Sequence, residues 1–189
     1  MTKQENAPQL VDGVVTLDRH GLADVEQHLA GEDDEQARRF GWYPDRSTNE
    51  SVRAAIESWQ DQWRNDGPIR AFAIRSADSG DLVGGCEIRL QGDSIAHISY
   101  WVFPLFRRLG YATRADRLAC SYAFAHLGVD RIELYSEDNN IASSGVARRV
   151  GFIKEGVLRN QGRFGDERHD MVLYSLLPND LTTIAQPEL

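Results

Sequence analysis

Cysteine is scarce in this chain: two in 189 residues, Cys86 and Cys120, too few for a disulfide framework and without metal-ligand spacing to each other. Both are expected to be reduced and at least partly buried. Basic residues are outnumbered, 21 Lys+Arg against 29 Asp+Glu, which leaves a formal net charge of −8 and a pI near 5.1. A chain of that balance lacks the clustered cations that neutralise phosphates, so nucleic-acid binders are excluded as a class; a local basic patch is not. No apolar run approaches the ~18–20 residues that span a bilayer. Met1 to Gly13 is polar and lacks the apolar stretch of a secretory signal, so a cytoplasmic protein with no membrane partner is expected. Internal repeats and low-complexity blocks are also missing, as are a Gly-x-Gly-x-x-Gly fingerprint and the Lys-Ser/Thr ending of a nucleotide P-loop.

What is present is enough for a core: 41% of residues are hydrophobic and four are Trp. The length fits one domain, expected over 13–177 between loose tails at 1–12 and 178–189. Val14–Leu17 reads as a first strand, and Leu22, Val25 and Leu29 recur at helical spacing. The acidic run Glu32–Glu35 is expected to open a second short helix, where carboxylates suit the positive end of the dipole; a solvated face is the plainer alternative. A helix over about Thr48–Trp63 carries the stripe Val52, Ile56, Trp59 and Trp63, and Asp66-Gly67-Pro68 stops it. Turn clusters then separate Ile69–Ser76, Leu82–Leu90 and Ile95–Phe103 into an antiparallel meander. A helix (Thr113–Leu127), a strand (Arg131–Ser136), a helix (Ile141–Val150) and two strands (Ile153–Phe164, Arg168–Leu176) follow. Together these predict an α/β (α+β) protein with a mixed, mostly antiparallel sheet and helices on both faces.

The most informative stretch is the junction after the meander. Pro104 stops a strand, and a tight turn with Arg107, Arg108 and Gly110 feeds directly into an amphipathic helix. The first N–H groups of such a helix have no partner within it. With the dipole they form an anion site, and a glycine lets a phosphate approach the main chain closely.

Arg107-Arg108-Leu109-Gly110-Tyr111-Ala112 resembles the acyl-CoA signature (Gln/Arg-x-x-Gly-x-Gly/Ala) of the GNAT superfamily of N-acetyltransferases, with Val102-x-Pro104 at the distance that family uses. Asn140-Ile141-Ala142-Ser143, Val146-Ala147, Gly151-Phe152 and Glu155-Gly156 are similar to the second block of its RimJ/RimL-like branch. The resemblance covers roughly Val14–Leu177 and is dense from Ser99 to Gly156. It implies the GNAT acyl-CoA N-acyltransferase fold, with a six- to seven-stranded sheet. It also implies direct transfer of acetyl from acetyl-CoA to a primary amine through a tetrahedral intermediate, with no metal.

On that resemblance, Arg107, Arg108, Leu109, Gly110, Tyr111, Ala112 and Thr113 hold the pyrophosphate, and Val102 lies where the main chain pairs with the pantetheine arm. A main-chain N–H near Trp101 or Val102 is expected to face the thioester oxygen, a donor worth about 3–4 kcal/mol of barrier in other acyl-transfer enzymes. Many members protonate the thiolate with a Tyr at the position that is Ala147 here; the RimJ/RimL-like pattern points to Ser143 instead. Two roles are open to Ser143, acid or helix capping, and two to Asn140, a pantetheine contact or an N-cap. For the base, strand parity puts Tyr100, Ile98 and Ala96 on the face of Val102 and His97 on the other. Glu87 on the neighbouring strand remains as a catalytic candidate, with a surface pair to Arg89 as the plainer reading. Arg38, Arg39, Phe40, Trp42 and Tyr43 are candidates to line the acceptor entrance. The expected acceptor is an amine-bearing small molecule or a protein N-terminus, and the expected assembly a monomer or homodimer. The alternative is a non-catalytic CoA-binding regulatory module of the same fold, prompted by the missing base and by Ala147.

Overall fold

The computed structural model describes residues 7–32, 47–164 and 166–182. Its strands are β1 (Leu10–Val11), β2 (Val15–Asp18), β3 (Ile69–Ser76), β4 (Leu82–Gly92), β5 (Ile95–Val102), β6 (Arg131–Glu137), β7 (Ile153–Phe164) and β8 (Glu167–Leu176). They form one sheet in the order β1-β2-β3-β4-β5-β6-β8-β7. Every neighbouring pair is antiparallel except β5 and β6, which run parallel. The helices are α1 (Val25–Gly31), α2 (Asn49–Arg64), α3 (Tyr111–His126), α4 (Ile141–Val150) and α5 (Pro178–Thr182). Asp33, Asp34 and Glu35 of the acidic run, and Arg38, Arg39, Phe40, Trp42 and Tyr43, lie outside the described residues.

Eight strands stand where six or seven are expected, because Leu10–Val11 belongs to the sheet and not to a tail. Asp12 is the cause. Its Oδ1 accepts the N–H groups of Val14 (2.9 Å) and Val15 (2.8 Å), an Asx turn that doubles the chain back onto β2. At the other end, Pro178–Thr182 is helical, with the Leu177 N–H donating to Asp180 Oδ2 at 2.8 Å. Between β4 and β5, Asp93 and Ser94 hold φ of 49° and 59°, the two-residue hairpin geometry that matches strand twist. That tight turn carries β4 on to Gly92, two residues past the expected end.

Alternation decides which face each helix covers. Phe72, Ile74, Cys86, Ile88, Ala96, Ile98, Ile132 and Leu134 share one face and pack against Ala115, Ala119, Cys120 and Ala123 of α3. Both cysteines are free and fully buried there. The opposite face of β3 to β5 lies under α1 and α2. Thr48 opens α2 with a capping box: its Oγ1 accepts the Ser51 N–H at 3.1 Å, while Ser51 Oγ accepts the Thr48 N–H at 2.9 Å. Trp63 anchors its far end, donating Nε1–H to Ala71 O at 2.8 Å. Among the described residues no helix is long and apolar enough to cross a membrane.

The feature that positions the site is a parting of strands. β5 and β6 pair only at Ile95–Arg131, Ala96–Ile132 and His97–Glu133, yet β5 continues to Val102 and β6 to Glu137. A gap therefore opens in the middle of the sheet, with a bare edge on each wall.

Candidate active site

The register of β4 on β5 decides which main-chain groups line that gap. Phe103 donates its N–H to Val83 O at 2.9 Å, so the odd-numbered residues of β5 exchange hydrogen bonds with β4. The N–H groups of Tyr100 and Val102 consequently turn toward β6, where the ladder has ended. Trp101 turns its main chain to β4, so the expected thioester-facing N–H falls to Val102 or Tyr100. The Trp101 indole stacks instead with His20 at 5.9 Å and Trp59 at 5.8 Å between ring centroids.

Above the gap stands the arginine turn. Pro104–Phe106 forms one 3-10 turn, and Arg107 Nε donates to Val102 O at 3.0 Å, tying the turn to the end of β5. Arg108 and Gly110 both adopt positive φ, 62° and 85°. Gly110 is the N-cap of α3, and the first bond within the helix is Arg114 N–H to Gly110 O at 3.1 Å. The helix begins at Tyr111, two residues before its expected start, so the N–H groups of Tyr111, Ala112 and Thr113 point out of its first turn without intrahelical partners. Nothing lies within 4 Å of where a Gly110 Cβ would be. The space over those amides is open, which fits a phosphate approaching along the axis.

A second helix N-terminus faces the gap. Asn140 caps α4, its Oδ1 accepting the Ser143 N–H at 3.0 Å. The capping role of Asn140 is thus present, and its amide NH2 is the group left for a cofactor. Ser143 does not cap. Its Oγ lies 3.2 Å from the Tyr100 hydroxyl, joining α4 to the bare edge of β5. Burial pushes the Tyr100 phenol well above its usual range, with the Asp116 carboxyl adding to the shift. Tyr100 therefore stays protonated and can donate. Sequence parity puts Tyr100 on this face, but as a base it has no use; as a donor it does, and only the contact with Ser143 reveals that.

The remaining expected residues separate. Ala147 is fully buried core. His97 lies on the opposite face, as parity requires, 3.3 Å from Glu133. Glu87 sits on β4, across β5 from the gap, and its Oε1 accepts from Arg89 Nη2 at 2.7 Å. That contact is the pair with Arg89 named as the plainer reading of Glu87.

Residues 15–153 match the family described as acetyltransferase (GNAT) domain. The protein named "Putative ribosomal N-acetyltransferase YdaF" of Bacillus subtilis (strain 168) is 35% identical over 127 residues, spanning 66% of this chain and 68% of that protein. Among solved structures, Mycobacterium smegmatis RimJ in complex with CoA-disulfide superposes with a TM-score of 0.77 at 23% identity, covering 93% of this chain and 88% of that one. RimL, the ribosomal L7/L12 alpha-N-protein acetyltransferase in complex with coenzyme A, gives 0.79 at 17% identity, covering 90% of this chain and 98% of that one. At those identities the two structures speak to the fold. The family match runs from β2 to the start of β7, across the arginine turn and both helix N-termini: the chain belongs to the acetyltransferase (GNAT) family and is an acetyl-CoA-dependent N-acetyltransferase.

Proposed function

We propose that the protein acetylates a primary amine, either a protein N-terminal α-amine or the amine of a small molecule, by direct transfer in the gap between β5 and β6. The observation that carries this reading is the hydroxyl pair of Tyr100 and Ser143 at 3.2 Å, placed beside the bare main-chain edge of β5. In the proposed arrangement, the Tyr111, Ala112 and Thr113 amides hold the pyrophosphate, with Arg107 and Arg108 on the turn beside it. The Asn140 amide reaches the pantetheine arm. The N–H of Val102 or Tyr100 takes the charge that develops on the thioester oxygen, and a preorganised donor of this kind is worth about 3 kcal/mol of barrier. Ser143 then gives its proton to the departing thiolate and takes up one that the nitrogen sheds, while the Tyr100 hydroxyl, which keeps its own proton, donates the hydrogen bond that orients Ser143 Oγ. The pair supplies the acid that Ala147 does not, which favours a working enzyme over a non-catalytic CoA-binding module.

The acceptor class draws on relatives and on charge. YdaF is named as ribosomal and RimL as an α-N-protein acetyltransferase, while a SpeG structure of the same fold is named for spermidine. A net charge of −8 favours the approach of a cationic acceptor. A panel of peptide α-amines, polyamines and other small amines, assayed for free thiol with acetyl-CoA, tests the proposal. Amine-dependent thiol release is expected; release with none of them overturns it.

A further inference from the structure

Direct transfer to an amine needs a group that takes the acceptor's proton, and Glu87 is engaged by Arg89 on the far side of β5 from the gap. The other wall of the gap holds a different carboxylate. Glu137 is the last residue of β6; one edge of the strand pairs with Met171 of β8, and the other has had no partner since Glu133. Its side chain is only 4% exposed. Oε1 accepts from His169 Nδ1 at 2.7 Å, whereas Oε2 is buried with no hydrogen-bond partner among the described residues. A carboxylate oxygen kept from water and left unpaired is costly, and a donor arriving from outside relieves that cost.

Position adds to the argument. Tyr100 stands three residues beyond the last paired residue of β5, and Glu137 four beyond that of β6. At the strand rise, they are at comparable heights on opposite walls, about 10 and 13 Å above the closed end. Strand parity also separates them by face. Glu137 projects with Glu133 and Tyr135, opposite to Leu134 and Ser136, and so away from the face on which Tyr100 meets Ser143. A hydroxyl donor flanks the gap on one face of the sheet and a carboxylate acceptor on the other. Acyl transfer requires such a division, because the nucleophile enters on one side of the carbonyl carbon and the thiolate departs on another.

We infer that Glu137 Oε2 receives the acceptor's amino group, binding it as an ammonium ion and taking its proton, with His169 positioning the carboxylate. This rests on the amine-acceptor reading above. Of the two protons the nitrogen sheds, one passes to Oε2 and leaves to solvent beside His169, whose side chain is 31% exposed. The nitrogen lone pair forms the C–N bond and the C–S bond breaks. The second proton ends on sulfur through the Ser143 hydroxyl. The site accordingly selects amines that are protonated in solution.

Glu137→Gln keeps the shape and a hydrogen-bonding group toward His169. With the most active aliphatic amine of the panel, it lowers kcat/KM by about 100-fold or more. With aniline, which is unprotonated at neutral pH, the loss is below about tenfold, because no ammonium proton needs a taker. Acetyl-CoA affinity by calorimetry stays at the wild-type value. His169→Asn lowers kcat/KM for the aliphatic amine and spares aniline in the same way. Should Glu137→Gln unfold, Glu137→Asp, which keeps the charge but draws the oxygen back, carries the same comparison. Equal losses with both nucleophiles, or a loss of acetyl-CoA binding, assign Glu137 to structure and overturn the inference. A variant that matches an active wild type overturns this inference alone, whereas a wild type silent with every amine overturns the acceptor reading and this inference with it.

Discussion

Tyr100 and Ser143, far apart in sequence, bring their hydroxyl oxygens to 3.2 Å at the point where α4 begins beside the free edge of β5. In the proposed arrangement Ser143 stands next to sulfur, with Tyr100 behind it as hydrogen-bond donor. Ser143→Ala is expected to lower kcat by about 100-fold, the scale of a positioned acid, with little change in acetyl-CoA affinity. Tyr100→Phe should lower it as well. The two changes will not add, since they interrupt one relay, and the double variant should be no slower than Ser143→Ala. Steady-state rates with thiol detection read all three, and an unchanged kcat in Ser143→Ala removes the acid role.

Gly110 separates backbone strain from blockade. With φ at 85° and nothing near its missing side chain, Gly110→Ala meets only the left-handed penalty, about 1–2 kcal/mol, and should retain coenzyme A binding. Gly110→Glu places a carboxylate over the amides of Tyr111, Ala112 and Thr113, where it competes with and repels phosphate. Calorimetry with coenzyme A should show binding close to wild type for the first variant and none for the second. Equal binding by both would remove the anion site from this turn.

Gly84 controls how close β4 and β5 can lie. A Cβ there would come within 2.1 Å of the Trp101 carbonyl oxygen, a main-chain atom that cannot swing aside. Gly84→Ala must therefore push β5 outward, costing about 1–3 kcal/mol and displacing the Val102 edge that faces the gap. A lower thermal midpoint together with a raised KM for acetyl-CoA is expected. Gly156→Ala is the control, since nothing lies within 4 Å of a Cβ there and its effect should stay within about 0.5 kcal/mol.

Legibility in the sequence followed how local the physics is. The arginine turn could be read because its parts are consecutive: Pro104 ends a strand, Gly110 permits the close approach, and α3 follows at once. The Asn140 cap three residues before Ser143 is local in the same sense. β1 escaped because two residues show no alternation, and the Asx turn of Asp12 that folds it back only becomes meaningful with a partner strand in place. Tyr100 was visible by parity, but its use as a donor needs Ser143 from another element. Glu137 was hidden by its neighbours. Arg131, Glu133, Tyr135 and Glu137 alternate as a solvent-facing row would, and nothing in the order of residues says that the last of them is buried against β8 and held by His169.

Asp116 offers a test of the ground on which Tyr100 stands. It is fully buried on α3, both carboxylate oxygens lack a hydrogen-bond partner among the described residues, and burial pushes its carboxyl well above the usual range. The folded chain then keeps a proton that the unfolded chain gives up near pH 3.9. Above that pH and up to the raised native value, the native state binds more protons, so stability falls as pH rises, by up to about 1.4 kcal/mol per unit. Below it, the contribution is fully present. Asp116→Asn has the same shape and no titrating proton, so it lacks this slope, while every other carboxylate titrates in both proteins and cancels in the difference. Urea midpoints should show the variant gaining on the wild type steadily from about pH 4 upward, with a level difference at lower pH. A difference that stays flat across neutral pH means that Asp116 is ionised in the fold, a buried negative charge that holds the Tyr100 proton more firmly still.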